Sequence, residues 1–153
     1  MAAGATYEPI ATATGSTSIT FSSIPSTYTD LRLVINGTAD YALRFNGDSA
    51  TNYSRTILEG SGTAASSIRF SNVTAAQFHY NYVSAPSFLV VDILNYAGST
   101  NKTAIGAYSN DNNGTGYVSR GVALWRNTAA INSILIFVYT STATATLYGI
   151  KAA

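Results

Sequence analysis

The sequence predicts an all-β protein, folded as a single-domain antiparallel β-sandwich of jelly-roll-like topology. Apolar and polar residues alternate with a period of two along most of the chain, and helical spacing is hard to find. The alternating runs are rich in Thr, Ser, Tyr, Val and Ile, which strands prefer. Turn-forming residues separate these short runs at regular spacing, a pattern typical of sandwiches and jelly rolls. An immunoglobulin-like arrangement is the alternative, although the Cys and Trp markers of antibody-type domains are missing.

Each alternating run predicts one strand, and one pair of runs predicts a hairpin. The predicted strands are residues 7–12, 18–24, 31–35, 42–46, 54–58, 68–70, 77–83, 116–126, 132–140 and 144–151, with the hairpin over 87–108. The first of these is expected at a sheet edge, because Pro9 has no N–H to donate to a neighbouring strand. Residues 1–6 are small, and we expect them to form a flexible N-terminal arm before one β-sandwich domain over residues 7–153.

The hairpin over residues 87–108 is the most informative part of the chain, because its first strand is apolar on both sides. The run over residues 132–140 has the same property. One side of each strand can line the fold's own core, whereas the second side needs another sheet or another molecule to cover it. The side chains predicted to form this second, interface side are Phe88, Val90, Leu94 and Tyr96, with their counterparts Leu135, Phe137 and Tyr139.

Asp92 is the one acid on that doubly apolar strand. A buried charge without a partner is costly, so the carboxylate is expected to form an ion pair or to face an interface. Arg120 or Arg126 is the predicted partner.

The composition indicates a neutral, polar surface. Charged residues make up 10% of the chain, against about 25% in an ordinary soluble domain. The net charge is +1 and the arginines are scattered singly, which disfavours binding to nucleic acid, since that needs clustered cations. The first residues lack the pattern of a secretory signal, and no apolar run approaches the ~20 residues of a membrane helix. We therefore expect a soluble protein, made in the cytoplasm, that binds neither nucleic acid nor membrane.

Residues that catalysis requires are sparse. His79 is the only histidine, and it lies among aromatics in a predicted strand with no Gly-x-Ser-x-Gly motif in the chain. A surface or interface histidine is therefore favoured over a member of a catalytic triad. Glycoside hydrolysis would need two acids, such as Asp48 and Glu59, to face each other ~5–10 Å apart. Most acids lie in predicted turns, so we expect no enzymatic activity and no catalytic residues.

Two tight loops carry side-chain oxygens of the kind that bind Ca²⁺. They are residues 46–48 (Asn-Gly-Asp) and 111–114 (Asp-Asn-Asn-Gly). The EF-hand pattern is absent, and Asn and Asp form such turns without a metal. The chain has no Cys, which excludes thiolate metal sites and disulfides. We expect no metal and no cofactor.

Four tyrosines are candidate contacts for a glycan or a protein partner. Tyr53, Tyr80, Tyr82 and Tyr117 lie in polar loops or on strand faces, where a phenol ring can stack on a sugar or anchor an interface. Ordinary strand packing is the alternative, and it is expected to account for more than half of the tyrosines in the chain.

Several stretches together resemble a group of small virion structural proteins of tailed bacteriophages, notably phages of marine and cyanobacterial hosts. They are SITFSSIPSTYTDLRLV, LRFNGD, NYAGSTNKT, ALWRNTAAINSI and the terminal TATLYGIKAA. The similarity spans residues 18–153 and carries no catalytic signature. It implies a β-sandwich that attaches to the capsid or the tail, often as a trimer.

The resemblance and the doubly apolar strands lead to one expected function and one alternative. The expectation is a capsid decoration, or cement, protein: a homo-oligomer, expected to be a homotrimer, that binds the major capsid protein or another virion protein on the outer capsid surface and stabilises the shell. The alternative is a tail- or head-fibre module that binds host surface glycans through polar loops over residues 51–62 and 109–117. A glycan-cleaving depolymerase is disfavoured by the shortage of acids and histidine.

Overall fold

The computed structural model describes residues 6–82, 84–139 and 141–151, which form two antiparallel β-sheets. In chain order the strands are β1 (Tyr7–Gly15), β2 (Ser18–Phe21), β3 (Asp30–Gly37), β4 (Asp40–Phe45), β5 (Tyr53–Gly60), β6 (Ala65–Val73), β7 (Ser87–Leu94), β8 (Lys102–Asp111), β9 (Gly116–Trp125), β10 (Ile134–Tyr139) and β11 (Ala143–Ile150). The predicted β-sandwich is confirmed. The arm expected over residues 1–6 falls, apart from Thr6, outside the described residues.

The two sheets differ greatly in width. The large sheet has eight strands in the order β1-β11-β3-β7-β8-β9-β5-β6, and the small sheet has three in the order β2-β10-β4. The predicted edge strand is confirmed as β1, whose pairing with β11 shifts between Pro9 and Ala11. A three-stranded layer is too narrow to cover an eight-stranded one, so other parts of the chain must complete the core.

The core lies between the facing sides of the two sheets. Alternate residues of β3 and β7 point into it and are fully buried, as the alternation predicts. Opposite them lie side chains of β4 and β10, including Leu43, Phe45 and Ile136. Phe45 packs 5.6 Å from Trp125, whose indole N–H donates to Asp48 Oδ2 at 2.7 Å. The hydrogen bond removes the cost of burying the indole nitrogen.

Residues 74–82 cover the part of the large sheet that the small sheet leaves open. Phe78 is fully buried against Gly106 of β8 and Gly121 of β9, which are opposed across the two strands. A Cβ atom at Gly106 would lie 2.4 Å from Phe78 Cγ, so only glycine permits this approach. The hydroxyl of Ser119 donates to the Phe78 carbonyl oxygen at 2.9 Å and fixes the segment on the sheet.

The predicted strand over residues 77–83 is therefore wrong within its described part. Residues 77–82 form an irregular segment, and the backbone N–H groups of Tyr80 and Asn81 donate to the carboxylate of Glu59 rather than to a neighbouring strand. The short strands predicted over 54–58 and 68–70 are longer, as β5 and β6, and pair with each other. The hairpin over residues 87–108 is confirmed as β7 and β8, paired from Ser87–Asn110 to Leu94–Thr103.

Candidate functional site

The outward side of the large sheet, which we call the outer face, is apolar and uncovered in the described chain. The register places Val90, Ala107, Arg120 and Leu58 in one row across β7, β8, β9 and β5. Five large apolar side chains on this face are between 41% and 64% exposed: Leu58, Phe88, Leu94, Val118 and Val122. Exposed apolar side chains scattered singly are normal in proteins, but a contiguous group marks an interaction site.

An ion pair lies on the outer face where β3 pairs with β7. Arg32 donates from Nε to Asp92 Oδ1 at 2.6 Å and from Nη2 to Oδ2 at 2.8 Å, the two-bond geometry that orients both groups. The expectation that Asp92 has a partner is confirmed, but Arg120 and Arg126 are wrong as that partner. The reason is the strand order, since β3 pairs with β7 and sets Arg32 directly opposite Asp92.

Three of the residues predicted for the second side of the hairpin do lie on the outer face. Phe88 and Leu94 are exposed there and Val90 is half-buried. Tyr96 is wrong as an interface residue, because it is fully buried and its hydroxyl donates to the Pro25 carbonyl oxygen. Asn95, which lies between Leu94 and Tyr96, has a positive φ of 49°. This backbone conformation ends the strand alternation, so Tyr96 points inward.

The alternation of β9 also identifies outer-face residues that were not predicted as interface residues. Val118 and Val122 are more exposed than Val90, and both sit on the side of β9 opposite to Trp125. The same test for apolar residues on both sides of a strand, applied to residues 116–126, would have found them. Val118, Val122 and Leu124 alternate along that run.

The second predicted interface side lies on the outward side of the small sheet. Leu135 and Phe137 of β10 are half-buried and Tyr139 is 45% exposed. The Arg44 guanidinium lies over the Phe137 ring, 4.8 Å from its centroid, and Tyr139 stacks on the same ring at 6.0 Å. This side is therefore a smaller apolar surface, partly covered by its own neighbours.

His79 belongs to a buried polar cluster that joins the covering segment, residues 74–82, to Asp40 of β4. Its Nε2 donates to Asp40 Oδ1 at 2.5 Å, and its ring stacks on Tyr108 with centroids 3.8 Å apart. Gln77 Nε2 donates to the same oxygen at 3.0 Å, and Gln77 in turn accepts from Arg55 Nη1. The expectation of a surface or interface histidine is wrong, because residues 74–82, which include His79, fold over this end of the sheet and leave the imidazole fully buried.

The cluster has the histidine and acid of a triad but no nucleophile bonded to them. His79 Nδ1 is buried without a hydrogen-bond partner among the described residues. A triad needs a hydroxyl or thiol bonded to one ring nitrogen and an acid bonded to the other. The contacts of His79 with Asp40 and Tyr108 hold residues 74–82 against the sheet.

Asp40→Asn is expected to lower the free energy of unfolding at neutral pH by about 1–2 kcal/mol, because the variant loses a charge-assisted bond. Burial alone would raise the pKa of Asp40, but the hydrogen bonds from His79 and Gln77 outweigh it and hold the pKa below its usual value. An acid whose pKa is lowered by folding stabilises the protein above its unfolded pKa and loses that effect as pH falls through the folded value. The difference between wild type and variant should therefore shrink below about pH 4.

Urea unfolding of both proteins at several pH values measures this difference. Asp111→Asn, at an exposed turn carboxylate, is the matched control and should change stability by less than about 0.5 kcal/mol at neutral pH. A gap between wild type and Asp40→Asn that persists unchanged at low pH would contradict the assigned role.

The acids and loops singled out for hydrolysis or metal binding form hydrogen bonds within the fold. Glu59 accepts from two backbone N–H groups and from the Asn81 side chain, whereas Asp48 accepts from Ala50, Asn52 and Trp125 at the other end of β5. That strand separates them by about 20 Å, too far for a hydrolytic pair. In the loop after β8, Asp111 and Asn112 accept from backbone N–H groups of their own turn. Among the described residues no group of three potential metal ligands occurs.

The four candidate tyrosines occupy different environments. Tyr53 is wrong as a partner contact, because it is fully buried, its hydroxyl accepts from Phe45 N at 3.0 Å, and burial raises its pKa to about 12. Tyr82 is half-buried and its hydroxyl donates to the Thr38 carbonyl oxygen. Tyr80 is exposed, with its ring against Phe70. Tyr117 is half-buried beside a groove.

That groove is an open depression of about 600 Å³ at the end of the large sheet. Its walls combine aromatic and apolar side chains with hydroxyl, amide and carboxylate groups, and glycines open its floor. The lining includes Gly60, Gly62, Phe88, Ser109, Asp111 and Tyr117. Phe88 joins the groove to the outer face, so the two features form one continuous surface.

Comparisons with known families and curated proteins give no match, so the function is inferred from this geometry. No family model matches the chain, and no curated protein matches its sequence. Within the described residues no helix is long and apolar enough to cross a membrane. The candidate functional site is therefore identified by its physical character, an uncovered apolar sheet face with an adjoining groove.

Proposed function

We propose that the protein is a non-enzymatic virion structural protein, a capsid decoration protein that acts as a homo-oligomer on the outer capsid surface. The single observation that carries the proposal is the outer face, where five large apolar side chains on β5, β7 and β9 remain open to solvent. The resemblance of the sequence to phage virion proteins supports the same assignment. The partners proposed are further copies of the chain, as a trimer, and the major capsid protein or another virion protein.

The outer face fits a permanent interface in its chemistry. Besides its apolar side chains, the outer face carries the Arg32–Asp92 ion pair on β3 and β7, and Arg120, which lies between Val118 and Val122 on β9. Protein interfaces are enriched in aromatic and apolar groups and in arginine, and they are depleted of lysine and glutamate. With 10% charged residues, the chain has little charge to keep copies apart.

The mechanism proposed is stabilisation by mass action. A protein that binds the assembled shell and not its separated subunits lowers the free energy of the shell by an amount that grows with its concentration and affinity. No chemical step is needed, and no residue other than those of the interface takes part. A β-sandwich with few charged residues and no cysteine is sufficient for this role.

Immunogold labelling of intact particles tests the location. Antibodies against the chain should label the capsid surface, and particles stripped of the protein should rupture at lower temperature than particles to which it has been added back. Label confined to the tail would support the second candidate function below. Absence of label from purified particles would refute both.

The second candidate function is glycan binding by a fibre module, and the groove favours it. An exposed Phe88 ring and the Tyr117 ring beside Ser109 and Asp111 combine a stacking surface with hydrogen-bonding groups, which sugars require. On a glycan array, Tyr117→Ala should weaken binding about tenfold or more, because interface tyrosines often dominate affinity. Tyr139→Ala, an exposed tyrosine on the other sheet, should bind as wild type. No binding by the wild-type chain would remove this candidate.

A further inference from the structure

The four sheet edges of the described chain differ in how they are protected. An edge strand presents unpaired N–H and C=O groups that can pair with another chain, and proteins block such edges with proline, bulges, charges, short strands or cover. At the β1 edge Pro9 lacks an N–H, the register shifts beside it, and Glu8 pairs with Lys151 at 2.7 Å. These three features protect the first half of the β1 edge.

Both edges of the small sheet are also protected. β2 has only four residues. At β4, Leu43 and Ala76 exchange both backbone hydrogen bonds, at 2.8 and 2.9 Å, and so cover the edge with the segment that follows β6. Neither edge offers a long row of backbone groups to another chain.

Among the described residues, the β6 edge carries only one charge and, near its end, one register shift. It is the last strand of the large sheet, nine residues long, without proline or acid. Its one charged residue, Arg69, donates from Nη1 to Thr56 Oγ1 at 3.0 Å, back towards its own sheet. The regular part of the strand runs over residues 65–71, because Asn72 has a positive φ of 56° and the pairing with β5 shifts there.

We propose that β6 pairs in antiparallel fashion with β6 of a second copy, about a twofold axis at Ile68. In a twofold antiparallel pair, the residue at the axis must oppose itself. Ile68 is the midpoint of the regular stretch 65–71, so this register pairs all seven residues. It sets Ile68 against Ile68 and Arg69 against Ser67, whereas a shift by one residue to Arg69 would oppose two like charges. A second copy is therefore complementary to this edge in length, side chains and charge.

The contact is independent of the proposed function, because it uses none of the outer-face residues named above. Where a trimer forms through the outer face, a twofold contact at β6 links one trimer to the next. The two interfaces can be tested separately, since each has its own set of residues.

A single cysteine tests the register, and the natural chain has none to interfere. Directly opposed residues in an antiparallel pair have Cα atoms about 4.5–5.5 Å apart, within the range of a disulfide. Ile68→Cys should therefore form a disulfide-linked dimer under mild oxidation. In the same register, Ser66→Cys places its two Cα atoms about 14 Å apart and should stay unlinked. Equal cross-linking of the two variants, or none with Ile68→Cys, would overturn the proposal.

Charge changes at exposed Ser67 give a second test that leaves the core untouched. Ser67→Glu faces Arg69 of the second copy twice per dimer and should tighten dimerisation about fivefold, whereas Ser67→Lys should weaken it by a similar factor. Sedimentation velocity measures both. Thr20→Glu and Thr20→Lys, on the exposed side of β2, are the matched controls and should leave the dimer unchanged. A shift of the same sign for both Ser67 variants would contradict the pairing.

Discussion

Gly106→Ala is expected to lower the free energy of unfolding by about 3 kcal/mol, near the upper end of the cost of overpacking. The added methyl would lie 2.4 Å from Cγ and 2.5 Å from Cδ1 of Phe78. Phe78 cannot move aside, because it is fully buried and its carbonyl oxygen is held by Ser119. The covering segment would have to lift from the sheet, which would expose His79 as well. Urea unfolding measures the loss.

Gly60→Ala provides the matched control for this prediction. It makes the same substitution in a strand of the same sheet, where the nearest heavy atom to a Cβ is Val118 Cγ1 at 3.7 Å. Alanine costs less conformational entropy than glycine on folding, so stability should be unchanged or should rise by up to about 1 kcal/mol. Equal losses for the two variants would show that the sheet resists any added methyl and that contact with Phe78 is not the cause.

A double-mutant cycle isolates the contact itself. Phe78→Ala alone should cost about 3–5 kcal/mol through the cavity that it leaves. In that background the contacts with Cγ and Cδ1 are gone, but the Cβ of residue 78 still lies 2.7 Å from the added methyl, so Gly106→Ala should cost less than in the wild type and still destabilise. Additive losses would mean that the glycine is required for a reason other than the Phe78 ring.

Phe88→Asp combined with Val122→Asp is expected to abolish self-association through the outer face, weakening it about a hundredfold or more. Both side chains are exposed on the outer face, at 46% and 42%, so in the separated chain the aspartates meet water. In the assembled protein the same charges would be desolvated, which is costly. Sedimentation velocity across a dilution series measures the change.

The stability of the separated chain distinguishes an interface effect from misfolding. The double variant should unfold within about 1 kcal/mol of the wild type, since exposed substitutions seldom exceed that. Thr20→Asp combined with Ala129→Asp adds the same charge at exposed positions away from the outer face, and it should associate as the wild type does. A wild-type chain that is monomeric at every concentration would refute assembly through the outer face.

Much of the hairpin could be predicted from the sequence because strand alternation is a local property. Leu89, Val91 and Ile93 are buried, and Phe88 and Leu94 are exposed, as their spacing indicates. The prediction failed at Tyr96, one residue beyond Asn95. Alternation holds only while the backbone stays extended, and a residue with positive φ ends it.

The buried polar cluster could not be predicted, because its members come from distant parts of the chain. Asp40 and His79 are 39 residues apart and meet only after residues 74–82 fold over the large sheet. The alternating run around His79 predicted a strand. Gly106 and Gly121, however, leave no side chains between the sheet and this segment, so an irregular backbone can pack closer to the sheet than a strand could. Nothing in the run around His79 indicates where those glycines lie.

The sequence by itself determined the all-β class, the hairpin, the edge strand at Pro9 and the presence of more apolar strand surface than one layer needs, because each follows from neighbours along the chain. Only the tertiary structure decided the division into eight and three strands, the pairing of Arg32 with Asp92, the burial of Tyr53 and His79, and which edge stays open. These depend on strand order and on long-range contacts, which arise when separate segments compete to cover one core. Alternation shows that a side chain faces one side of a strand, and the whole fold decides whether that side meets core, solvent or another molecule.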